Sequence, residues 1–141
     1  MRLLVAVALS LFGFASVAEA QASSVVGRQF DAIVGRLAKN GYRESHSRLT
    51  GTLRQGQQTT FTVDLQQGGR YLLSGVCDRD CSDLDLALYD DSGNLLDDDT
   101  ETDDVPIVNV VPRWTGRFRV TVKMHACSTN PCAFGLAVFR N

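Results

Sequence analysis

Apolar positions in this 141-residue chain change their spacing near residue 49. Upstream, Val26, Phe30, Ile33, Val34 and Leu37 recur at i, i+4, i+7, i+8 and i+11, which gathers them into one stripe on a helix. The pattern predicts a helix over 23–39, with Ser23 or Ser24 able to cap its start and Asn40-Gly41 as a stop signal. Such a stripe either packs on the domain that follows or recruits another exported protein. Residues 42–48 read as a polar linker.

From Leu49 onward the period is two. Phe61, Val63 and Leu65 alternate with polar residues, and Gln66-Gln67-Gly68-Gly69 breaks the run. Tyr71 to Cys77 follow, then Leu84, Leu86 and Leu88 in another alternating strand, an Asp90-Asp91-Ser92-Gly93-Asn94 turn, and a short strand from Leu95-Leu96. Val105 to Val111 is apolar on both faces, the signature of a central strand. Phe118, Val120, Val122 and Met124 alternate with Arg117, Arg119, Thr121, Lys123 and His125, and Ala133 to Phe139 forms the last strand. Seven or eight strands at this spacing, with one helix in front, predict an all-β fold over 49–141: an antiparallel, jelly-roll-like β-sandwich.

Residues 1–20 read as a signal peptide rather than structure. Arg2 supplies the basic n-region, Leu3 to Val17 the apolar h-region and Ala18-Glu19-Ala20 an A-x-A cleavage site. The mature chain is then about 121 residues, one domain exported to the periplasm or beyond the cell, and none of its segments approaches the length of a membrane span. Two close cysteine pairs, Cys77/Cys81 and Cys127/Cys132, fit an oxidising compartment. Three connectivities are open. Local bridges contribute about 2 kcal/mol each and bridges between the pairs about 4, yet Ser128-Thr129-Asn130-Pro131 between the last two reads as a hairpin turn, which favours local pairing. Zinc is the competing use of these thiols, although both spacings are wider than a C-x2-C knuckle.

Charge is distributed very unevenly. Twelve acidic residues lie between Asp78 and Asp104 against Arg79 alone, a net of −11, whereas the rest of the mature chain carries +9. Carboxylates that dense repel by roughly 3 kcal/mol per pair at about 5 Å and an effective dielectric near 20. Solvent, the basic remainder or a bound cation must relieve this. Calcium takes six to eight oxygens, and clustered carboxylates near turns supply them. One candidate set is Asp78, Asp80 and Asp83; a second joins Asp90 and Asp91 to Asp97, Asp98, Asp99, Glu101, Asp103 and Asp104. Neither is an EF-hand loop, since Thr102 stands where the sharp-turn glycine would be. The alternative is a solvated acidic loop that keeps sheet edges from pairing. Asp83 and Asp85 fall on the polar face of their strand, where Arg117, Arg119 and Lys123 of a neighbouring strand would partly neutralise them. The near-neutral total, with no basic stretch carrying aromatics, speaks against nucleic acid as a partner.

The ordered segments Gly51-Thr-Leu, Phe61-Thr-Val-Asp-Leu, Gly69-Arg-Tyr, Asp83-Leu-Asp-Leu-Ala-Leu-Tyr-Asp, Ser92-Gly-Asn-Leu-Leu and Gly116-Arg-Phe-Arg-Val-Thr-Val resemble the bacterial pre-peptidase C-terminal domain over roughly 49–140. That resemblance implies a non-catalytic β-sandwich, used by the family as a removable segment or a binding module, and some related collagen-binding modules bind calcium. Two departures matter. Only a helix precedes the domain here, so a role in processing an attached peptidase is not implied, and the cysteine pairs are not part of the family pattern.

Catalytic chemistry has little support. His46 and His125 stand apart in the sequence, and no nucleophile motif such as G-x-S-x-G occurs. Trp114, the only tryptophan, lies in Pro112-Arg-Trp-Thr-Gly and either stacks on a ligand or covers the edge of the core. The sequence thus reads as an exported, non-catalytic module for a protein or polysaccharide, with calcium as its one candidate cofactor. The alternatives are a structural envelope protein assembling through its N-terminal helix, and an inhibitor or chaperone of a separate secreted peptidase.

Overall fold

The computed structural model describes residues 17–141. Of the expected signal peptide, residues 1–16 lie outside the described residues. The helix α1 runs Val17–Ala38 and so begins six residues before the position expected from its apolar stripe. No glycine or proline interrupts Val17 to Ala22, and alanine, glutamate and glutamine extend a helix readily. Ser24 is therefore not a cap; its hydroxyl donates back to the Gln21 carbonyl at 2.8 Å. The stop is as read: Asn40 N donates to Leu37 O and Gly41 N to Ala38 O, with Gly41 at φ +83°.

Nine strands follow: β1 (Arg43–Glu44), β2 (Leu49–Leu53), β3 (Gln58–Leu65), β4 (Tyr71–Cys77), β5 (Cys81–Tyr89), β6 (Leu95–Asp99), β7 (Ile107–Val110), β8 (Gly116–Cys127) and β9 (Cys132–Arg140). In the first sheet β1 and β2 both pair with one side of β9, followed by β4 and β7; the second runs β3-β8-β5-β6. Every pairing is antiparallel. From β2 to β9 the chain crosses between sheets in the order of a jelly roll, which confirms the predicted fold class. The strand beyond the expected eight is β1, two charged residues too short to show any period. It turns part of the expected linker into sheet.

Leu65, Leu73, Leu84, Leu86, Leu88, Phe118, Val120, Val122 and Met124 fill the space between the sheets. A second apolar layer covers the outer face of the first sheet, where Val26, Phe30 and Ile33 of α1 meet Leu72, Val76, Ala137 and Phe139. This layer explains why β4 and β9 lack alternation: every residue of β4, and all of β9 but Arg140, is buried. The helix comes close enough that a Cβ on Gly135 would overlap the Phe30 ring. Arg48 fastens the same face, pairing with Glu44 at 2.6 Å and Asp31 at 3.3 Å while its guanidinium lies 5.1 Å from the Phe30 ring centre.

Two expectations are corrected. Val105 to Val111 is not a central strand; β7 forms the edge of the first sheet, with Ile107 and Val111 exposed. Its run of apolar residues misled because its outer side is closed by side chains, described below, instead of by another strand. The Cys127–Cys132 turn is not a hairpin either, since β8 and β9 belong to opposite sheets. Both disulfides are local, Cys77–Cys81 and Cys127–Cys132, and each closes an arch from one sheet to the other at the same end of the sandwich. Cys81 and Cys127 lie opposite each other in the β5–β8 ladder.

If the helix is an integral layer, Phe30→Ala should remove about 3–5 kcal/mol of stability. Chemical denaturation monitored by circular dichroism measures this, and a loss below about 1 kcal/mol would show that α1 is only loosely attached.

Candidate functional site

The end of the sandwich opposite the disulfides carries an open groove of about 450 Å³. Its walls come from the start of β6 (Leu96), the end of β7 (Asn109, Val110) and the loop into β8 (Val111, Pro112, Arg113, Trp114). Phe118 forms its floor, buried under Trp114, with ring centres 5.8 Å apart and planes inclined by 21°. Trp114 remains 40% exposed. Of the six large exposed hydrophobic side chains among the described residues, Leu95, Leu96, Val111 and Trp114 lie at this end. Clustering of that kind marks an interaction surface, whereas single exposed hydrophobics do not.

The loop bearing Trp114 is fixed before any ligand arrives. Gly68 N donates to Pro112 O at 2.9 Å and Gln67 N to the Thr115 hydroxyl at 2.9 Å, which tie it to the β3–β4 turn. The opposite wall is held by the turn after β5. Asp90 accepts from Ser92 N (3.0 Å) and Asn94 N (2.8 Å) through Oδ1 and from Asn94 Nδ2 (2.8 Å) through Oδ2. These bonds, the Asn94 side chain first and its backbone next, hold the Asp90 carboxyl below its usual range. Asp90 therefore lines the groove but is occupied by its own turn.

The expected cation ligands are dispersed. Asp78 is buried and accepts from Ala133 N at 2.7 Å and Asp80 N at 3.1 Å, bracing the arch between the sheets, while Asp80 itself is exposed. Asp97 accepts from Asn109 N (2.7 Å) and Asp99 from Ile107 N (2.8 Å), so two carboxylates of β6 seal the free edge of β7. Asp99 also accepts from Glu101 N, and Asp103 from Val105 N at 2.9 Å. Among the described residues, Asp99, Glu101 and Asp103 are the three whose carboxylate oxygens approach within 4.8 Å of one another. Asp98 and Asp104 neighbour them in the chain, while Asp91 lies in the turn after β5. The relief of crowding that sequence alone did not suggest is thus the backbone amide, which binds a carboxylate without any ion.

Asp83 and Asp85 occupy β5, beside β8 as expected. Lys123 lies directly opposite Asp85, Arg117 opposite Asp64, and His125 Nδ1 stands 3.7 Å from Asp85 Oδ2. Burial, followed by the charge of Asp83, pushes the Asp85 carboxyl above its usual range. His46 is engaged locally, with Ser45 Oγ at 2.8 Å from Nδ1 and the Asp64 carbonyl at 2.9 Å from Nε2.

Trp114 was readable as a candidate from its isolation in the sequence. Leu96, Asn109, Val111 and Arg113 were not, because they gather only through the jelly-roll register. A pair of leucines directly after a turn, Leu95-Leu96, is the one local hint.

Because Asp90 titrates below its unfolded value, its contribution is complete above about pH 4 and lost as pH falls through the folded value. Asp90→Ala should therefore lower the melting temperature at pH 7, with the gap to the unmodified protein closing in acid. A gap independent of pH would contradict these hydrogen bonds.

No protein-family model and no curated protein matches the sequence. Among solved structures, the pre-peptidase C-terminal domain of collagenase from Bacillus anthracis is similar at 14% identity and a TM-score of 0.52, over 65% of this chain and 87% of that one. Aeromonas hydrophila PliG, a periplasmic inhibitor of g-type lysozyme, aligns at 12% identity and a TM-score of 0.49, over 67% of this chain and 85% of that one. The β-sandwich described here has the fold of the pre-peptidase C-terminal domain.

Proposed function

We propose that this chain is an exported, non-catalytic accessory module that binds a protein ligand through the groove beneath Trp114. The observation that carries this reading is the prearranged groove: Leu96, Val110, Val111, Pro112, Trp114 and Phe118 form its apolar part beside Asp90, Asn109 and Arg113, and the loop bearing Trp114 is already hydrogen-bonded in place. Such a pocket suits an apolar anchor side chain from a partner. A polysaccharide would need several free polar groups, and with Asp90 engaged the groove offers chiefly Asn109 and Arg113. The two disulfides fit an oxidising compartment and hence export. The stripe on α1 is buried against the first sheet, which removes the apolar face that assembly through the helix would use. Among the described residues no helix is long and apolar enough to cross a membrane.

The groove holds the only tryptophan of the chain, so its fluorescence reports occupancy directly. Immobilised protein should capture a partner from an exported-protein fraction, and that partner should shift the Trp114 emission. Val111→Asp should weaken capture at least about tenfold without altering the fold. Capture unaffected by both Val111→Asp and Trp114→Ala would sink the proposal, and binding to purified glycans in place of proteins would reassign the ligand class.

The reading extends to a calcium ion held where Asp99, Glu101 and Asp103 converge, between the β6 and β7 edges. Millimolar calcium should then raise the melting temperature, and Asp103→Asn should abolish that rise. An unchanged melting curve with calcium would leave these carboxylates as backbone acceptors alone.

A further inference from the structure

Of the strands that border the two sheets, β3 alone is long, regular and open. On one side of the sandwich Asp97 and Asp99 of β6 close the edge of β7. On the other, β1 has two residues and β2 five, with Gly51 at its centre, whereas β3 pairs with β8 through all eight of its residues without a bulge. From Gln58 to Val63 it contains neither a charge nor a proline, the devices that keep sheet edges apart.

The direction of each backbone group on β3 is fixed by one bond. Met124 N donates to Gln57 O at 2.9 Å, in line with the β3–β8 register. Bonds in an antiparallel pair fall on every second residue, so Thr59, Phe61 and Val63 bond to β8. The amides and carbonyls of Gln58, Thr60, Thr62 and Asp64 therefore point outward, and all four residues are exposed. Only the last is engaged, its carbonyl accepting from His46 Nε2 at 2.9 Å. Gln58, Thr60 and Thr62 present an uncapped row of donors and acceptors, which is what another strand binds.

We propose that two copies of this chain associate through β3, antiparallel about a two-fold axis at Thr60, joining their four-stranded sheets into one. The row is self-complementary. With Thr60 opposite its own mate, Gln58 faces Thr62 of the other copy, and each outward amide and carbonyl finds a partner. Opposed threonines are a favourable cross-strand pair. The capped carbonyl of Asp64 falls beyond the paired residues, so no two like charges face each other. On the inner side Phe61 is only partly buried, 6.1 Å from the Phe134 ring, and in this register the two Phe61 side chains become diagonal neighbours within reach of each other. The far edge of the same sheet, β6, ends in Asp97-Asp98-Asp99, so growth stops at two copies. Since β3 ends beside the start of β8, next to Trp114, antiparallel pairing sends the two grooves to opposite ends of the dimer and covers neither.

Sedimentation of the mature chain at up to about 1 mM tests this. A reversible dimer is expected, with unchanged Trp114 emission. Thr60→Lys sets two ammonium groups against each other and should weaken the dimer at least about tenfold; because Thr60 is exposed, that variant keeps the fold. Thr60→Pro, which removes an outward N–H where an edge strand tolerates its loss, should do the same, with circular dichroism confirming the sandwich. The register has its own readout. Thr60→Cys should form a disulfide between copies, since hydrogen-bonded partners stand about 5.5 Å apart at Cα, whereas Thr62→Cys, facing Gln58, should not. The proposal fails if the chain stays monomeric at that concentration, if Thr60→Lys leaves the dimer intact, or if Thr62→Cys cross-links in place of Thr60→Cys. It fails equally if Val111→Asp, and not Thr60→Lys, separates the copies, since the groove would then be their interface.

Discussion

Where a chain crosses between sheets, or a sheet ends, backbone amides are left without the ladder partners they have elsewhere, and each needs an acceptor. In this molecule aspartate side chains meet that need again and again. Asp78 takes two amides at the β4–β5 arch, Asp90 takes two in the turn after β5, Asp97 and Asp99 take the free amides of β7, and Asp103 takes one before it. Charge-assisted bonds of this type are shorter and stronger than neutral ones, and each contributes about 1.5–3 kcal/mol when shielded. The acidic segment is therefore the scaffold of the corners. The groove, the arches and the β7 edge all depend on it.

This changes how the −11 segment should be understood. Its charges are spread over both ends and one edge of the sandwich, and five of the twelve, Asp78, Asp90, Asp97, Asp99 and Asp103, accept from backbone amides. Two clusters stand out among them, an exposed convergence at Asp99, Glu101 and Asp103 and a more buried pair at Asp83 and Asp85. The two differ in physical kind. Water screens the first at little cost, whereas the second is partly withdrawn from water, where burial and the neighbouring carboxylate raise the Asp85 carboxyl.

The jelly roll was legible because its inner face is strictly periodic: Leu84, Leu86 and Leu88 on one strand and Phe118, Val120, Val122 and Met124 on its neighbour all turn inward as their alternation demands. The helix was legible for the same reason, since Val26, Phe30 and Ile33 fall in one stripe. Its true start was not, because nothing in Ala18 to Ala22 breaks a helix and a secretion signal was expected to end there. The position of β7 was hidden by a remote cause, two carboxylates from another sheet substituting for a missing strand. The groove was hidden similarly. Trp114 stands out as a residue type, but its neighbours Leu96 and Val111 are brought to it by strand order, which no local pattern encodes.

A sheet edge closed by side chains differs from one closed by a strand in how it can be opened. Another polypeptide seeking to extend the first sheet along β7 would have to expel two charged acceptors before gaining a single ladder bond. Random collisions between copies of this protein cannot meet that requirement, so β7 resists the edge-to-edge growth that leads to fibres while remaining a strand. At that edge the sandwich thus carries its own guard against self-association in two aspartates.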